Sequence, residues 1–187
     1  MANITLVLII STYFTLKKEN CMENISLSKI FLEELKAEIP SSRKCLERIP
    51  EKLFTWKPHE KSMNMGYLAL LVAAMPNWIT LSIENKVIDF ATYKPFQPKD
   101  TAELVKYFDE NIAGAKKALT NVKDEEMSEM FYLKNKGETL YSLPIDKIIS
   151  STINHWVHHR GQLTVYMRLN NIPVPSIYGP SADERTF

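Results

Sequence analysis

The stretch Asn154-His155-Trp156-Val157-His158-His159-Arg160-Gly161-Gln162 holds three of the four histidines of this 187-residue chain. In an α-helix, at about 100° per residue, His155 and His159 stand one turn apart and roughly 40° apart around the axis. Two imidazoles so placed can converge on one divalent metal ion. Ser151, Thr152, Gln162 and Tyr166 continue that face with polar groups, flanked by Ile148, Leu163 and Leu169. Gln162 and Tyr166 are candidate orienting donors for a catalytic site. Arg160 is a candidate for attracting an anionic substrate or for an ion pair. The same spacing admits a second reading, in which His155 and His159 are partly buried and satisfied by hydrogen bonds to neighbouring helices. His158 points roughly 60° away from His155 and is expected at the surface or against a neighbour. Gly161 is expected where helices approach closely. The zinc-protease pattern is absent, because Trp156 stands where that chemistry needs a carboxylate base.

The elements that must position these residues read as four helices and one strand-like interruption. Leu27, Ile30, Phe31, Leu35 and Ile39 recur at spacings of three and four, and Pro40 is expected to end or kink that first helix. Helical character resumes through Arg43 to Arg48 and stops at Pro50, and Glu51 to Glu60 is a connector. Ser62 is a plausible N-cap for a second helix with the stripe Leu68, Leu71, Val72, Met75, Trp78 and Ile79, bent at Pro76. After a connector with prolines between Tyr93 and Pro98, Asp100 or Thr101 caps a third helix whose face is Leu104, Phe108, Ile112, Ala115 and Leu119. Met130 to Leu133 and Leu140-Tyr141 flank Asn135-Lys136-Gly137 as two short strands around a turn. Pro144 suits the first position of a fourth helix that runs to about Asn170, with Pro173 and Pro175 beyond it. The fold class is therefore all-α: a four-helix bundle with a short strand-like hairpin between helices 3 and 4. Connectors of about ten and more than twenty residues permit non-neighbour crossings.

Composition narrows the functions. Lys and Arg number 23 against 22 Asp and Glu, a net charge of +1, so no overall field recruits nucleic acid or an anionic membrane. The five glycines are scattered and build no phosphate loop, which excludes the usual nucleotide fingerprints. Two cysteines, Cys21 and Cys45, carry no zinc spacing and suit a reduced cytoplasmic setting. Ile4 to Leu16 is apolar but shorter than the roughly 20 residues that span a bilayer, and no Lys or Arg precedes it. Residues 1–21 are accordingly expected to be a mis-assigned leader with Met22 as the initiator, residues 1–24 to lie outside the fold, and residues 25–187 to be the bundle. A membrane-targeting leader is the competing reading.

The run from His155 through Arg160-Gly161-Gln162 to Pro175, ending in Tyr178-Gly179-Pro180-Ser181, resembles the C-terminal helix and tail of the DinB/YfiT-like superfamily. Trp56-Lys57-Pro58-His59-Glu60-Lys61-Ser62-Met63 and Gly66-Tyr67-Leu68-Ala69 resemble that family's entry into helix 2. The resemblance implies a four-helix bundle with a crossed connection, commonly a homodimer, holding zinc or nickel on three histidines. Two of these match His155 and His159. The third belongs to a pattern like Leu-Ala-x-His in helix 2, where this chain reads Leu68-Ala69-Leu70-Leu71. Leu71 thus stands in place of the third imidazole, and His59 lies about 12 residues upstream, roughly 18 Å away along a helix. Relatives include thiol-dependent transferases and isomerases, in which the metal activates a low-molecular-weight thiol.

Two functions of different class follow. One is a metal-dependent enzyme of transferase, isomerase or hydrolase type with a degenerate site on His155 and His159, served by Gln162, Tyr166 and Arg160. The other is a metal-free bundle that binds a small ligand or a second copy of itself.

Overall fold

The computed structural model describes residues 26–94 and 96–185, and the expected leader lies outside the described residues. Its elements in chain order are α1 (Leu27–Glu47), α2 (Met65–Glu84), β1 (Val87–Asp89), α3 (Thr101–Asn121), β2 (Met130–Asn135), β3 (Glu138–Pro144) and α4 (Ile145–Leu169). Single turns of 3-10 helix at Glu51–Leu53 and Asp124–Ser128 stiffen two of the connectors.

Local chemistry explains the boundaries. α1 runs through Pro40 as one helix, so of the two outcomes expected at that proline, an end or a kink, it does not end there. Proline removes one hydrogen bond from the ladder, whereas Leu35 before it and Ser42, Cys45 and Leu46 after it are all buried on one continuous face. α2 likewise continues through Pro76. Its cap is Asn64 rather than Ser62: the Asn64 Oδ1 accepts the Tyr67 N–H at 2.7 Å, and the Ser62 N–H is spent on the His59 carbonyl. Asp100 caps α3 as expected, its Oδ1 accepting the Glu103 N–H at 2.8 Å. Pro144 is the N-cap of α4, one position ahead of the expected place, because it is still the last residue of β3.

The hairpin between α3 and α4 is part of a three-stranded sheet in the order β1-β2-β3. β2 and β3 are antiparallel, while β1, which has no counterpart in the sequence reading, runs parallel to β2 with Ile88 opposite Leu133. Three residues are too few to show an alternating pattern. The Asp89 carboxylate ties the sheet together. It accepts the Ala91 and Lys136 N–H groups on Oδ1 at 2.9 and 3.0 Å and the Gly137 N–H on Oδ2 at 2.8 Å.

Which helices touch is decided by packing, not by chain order. α2 lies against both α3 and α4, α1 lies against α3 and more lightly against α4, and α1 meets α2 only in passing. The ring around the bundle axis is therefore α1–α3–α2–α4, with α1 diagonal to α2, so this is not an up-down bundle. The core runs the length of that ring. Trp156 of α4 meets Phe108 of α3 with ring centroids 6.0 Å apart, amid Leu35, Leu46, Leu68, Leu104 and Ile149. By length and composition α2 could cross a membrane, but most of it is buried among the other helices, as a core helix is.

Candidate functional site

Helical spacing brings His155 and His159 together on α4 with ring centroids 4.4 Å apart, tilted by 42°. Their surroundings differ: His155 is exposed, while His159 is buried at 7% exposure. The Nδ1 of His159 lies 2.9 Å from the Oε1 of Gln162. An amide oxygen can only accept, so the neutral His159 ring carries its proton on Nδ1 and keeps the Nε2 lone pair free. That arrangement orients a potential ligand atom. His155 is held below the ordinary imidazole pKa, first by desolvation and then by repulsion from His159 and His158. His158 is exposed, its ring 5.4 Å from that of His159.

The other candidates divide. Tyr166 donates its hydroxyl to the Met63 carbonyl at 3.3 Å and meets the Trp56 ring edge-on at 5.5 Å, which fastens the connector ahead of α2 to α4. Arg160 is not available to an anionic substrate, contrary to one expectation for it. Only 1% exposed, it pairs with Glu38 of α1 at 2.5 Å and donates to the Ser41 and Ser42 hydroxyls at 2.8 and 3.1 Å. Its Nη2 donates to the Tyr178 hydroxyl at 2.8 Å, and that hydroxyl donates in turn to the Glu38 carboxylate at 3.0 Å. Helix geometry explains the split, since neighbouring residues point about 100° apart. The sequence signal for this network was a glutamate, Glu38, at helical spacing between the apolar Leu35 and Cys45. Gly161 is exposed with open space where a side chain would go, so it serves no close helix approach.

Two ties align α2 with α4. The Met63–Tyr166 bond joins the start of one to the end of the other, and the β1–β2 pairing holds their opposite ends together. The helices are thus antiparallel, and Leu71 lies level with His158 and His159 to within about a turn. The third position holds a leucine at the height where a third imidazole is expected. His59 does not replace it, because its Nδ1 accepts the Lys61 N–H in a local turn. Among the described residues no three His, Cys, Asp or Glu side chains come together to hold a metal ion. The donors brought together are two imidazoles, which do not fit a three-histidine centre.

The family model for the DinB family matches residues 10–186. The chain belongs to the DinB family. Two crystal structures of DinB-like proteins share its fold. One, from Bacillus cereus ATCC 10987, is 22% identical with a TM-score of 0.62 over 79% of this chain and 95% of that one. The other, YjoA of Bacillus subtilis, is 17% identical with a TM-score of 0.62 over 83% of this chain and 99% of that one. Among curated proteins, the uncharacterized protein YrdA of Bacillus subtilis is 45% identical over 42 residues, 22% of this chain. That match spans a quarter of the length of YrdA.

Proposed function

We propose that this DinB-family bundle works as a small-ligand-binding protein without a resident metal. The observation that carries this reading is Leu71, an alkyl side chain at the height on α2 where a third imidazole would have to stand. With two protein ligands a divalent ion keeps most of its waters, and both the affinity and the single controlled open position are lost. Accordingly, no thiol activation or other metal-dependent step is assigned to Gln162, Tyr166 or Arg160. A second reading is a weak zinc or nickel site on His155 and His159. It is favoured by the Gln162 contact that leaves the His159 Nε2 free.

Metal analysis of untagged protein after loading with zinc or nickel and desalting separates the two. The metal-free reading expects well under one ion per chain and a melting temperature indifferent to chelator. One retained ion per chain would overturn it. Leu71→His is expected to raise zinc and nickel affinity by about tenfold or more, since it completes the set of three imidazoles.

A further inference from the structure

Leu71 is also a wall of a cavity of about 290 Å³ between α2, the segment after β1 and α3. Neither His155 nor His159 lines it. Of its ten lining residues six are aromatic and none carries a charge. On one side Phe96 and Tyr107 stack with centroids 4.4 Å apart and planes 24° from parallel. On the other, Trp78 meets Phe90 at 6.2 Å and Tyr93 at 6.5 Å, tilted or edge-on. Protein interiors close such spaces, yet here the rings surround an open volume.

We propose that this cavity binds a planar, uncharged aromatic molecule of one or two fused rings bearing one polar atom. This deepens the metal-free reading by naming the ligand class and its seat. Size sets the upper limit, because the cavity lies at the small end of ligand pockets, which begin at about 300 Å³. Ring walls favour a flat guest that can stack or meet them edge to face. The absence of charge from the lining rejects ions, which would lose water and gain no partner. A bare quaternary ammonium would meet ring walls but no carboxylate in the lining to offset its charge. The polar atom is assigned to the Tyr93 side. There the Tyr93 phenol lines the cavity together with the Tyr107 phenol and the Trp78 indole. Burial pushes the Tyr93 phenol up to about 12, so it stays a neutral O–H group at physiological pH.

The test is calorimetric and saturation-transfer titration of the full chain with 2-naphthol, naphthalene and tetramethylammonium, with sedimentation run alongside. Saturable 1:1 binding of 2-naphthol is expected. Ala74→Phe, which fills the cavity, and Tyr107→Leu, which removes the stack, should each weaken it by about tenfold or more. Tyr93→Phe should narrow the preference for 2-naphthol over naphthalene by about fivefold, the effect of one hydrogen bond, while leaving naphthalene binding intact. The proposal is overturned by any of four results: no saturation with 2-naphthol, wild-type affinity in folded Ala74→Phe and Tyr107→Leu, tighter binding of tetramethylammonium, or an apolar cavity that sedimentation shows to be covered by a second copy. Metal content is measured independently. A chain that is metal-free but does not bind 2-naphthol refutes this inference alone, and a retained ion refutes the reading beneath it.

Discussion

A buried guanidinium is tolerable only when its charge and its donors are met, and Arg160 meets both conditions through residues far from it in sequence. Its removal would leave Glu38 buried beside two serine hydroxyls and a phenol, without a counter-charge. Arg160→Met should therefore cost about 3–5 kcal/mol in urea denaturation, and adding Glu38→Leu should restore part of that loss, because no lone charge then remains inside. His155 makes a second residue-scale prediction. Its folded pKa lies below the ordinary 6.5. As pH falls, the unfolded chain thus takes up this proton before the folded one. The stabilisation is complete above about pH 6.5 and declines as pH drops into the window beneath it. His155→Gln should flatten that part of the stability–pH curve, as measured by denaturant titration. The effect should be small, because the ring is exposed and solvent screens it. The histidine pair was legible from spacing alone. The difference between its members was not, because the burial of His159 depends on what the fold packs against α4.

At the scale of elements, helices were easier to read than their edges. The apolar stripes of α2, α3 and α4 predict their spans to within a few residues, since three-and-four spacing persists over many turns. At Pro40 the helix continues, because a single lost hydrogen bond is weaker than a buried face spanning both sides of it. Ser62 misled because serine and asparagine are both good caps, and the choice between them follows from how the connector folds. That connector is held tightly: a Cβ on Gly66 would come within 2.8 Å of the Phe54 Cβ and 3.0 Å of its carbonyl oxygen. β1 was invisible in the sequence, yet its last residue organises the hairpin. Asp89→Ala should free the Lys136 and Gly137 amides and speed their hydrogen exchange, while the amides of α4 keep their protection. Its carboxyl is held below the usual range by hydrogen bonds from the Ala91 and Gly137 amides. Lowering pH through that depressed value should loosen the same turn in the unaltered chain.

Across the whole molecule, the ring order α1–α3–α2–α4 determines which parts of the sequence can meet. The four-helix class and the resemblance to DinB proteins were legible, because composition, helix count and the α4 motif agree with one another. The aromatic cavity was not. Trp78 reads as core in its own stripe, and Tyr93 and Phe96 sit in a connector. Only α2 and α3 lying side by side bring these rings to Tyr107. The crossed ring also makes α1 and α4 neighbours although nearly the whole fold lies between them in sequence, and the Tyr178 phenol reaches Glu38 across 140 residues. During synthesis, the glutamate of the first helix is made long before that tyrosine leaves the ribosome. Until then its carboxylate must stay wet or be covered by something else, so final closure of α1 onto α4 waits for the segment that follows α4 as well as for α4 itself.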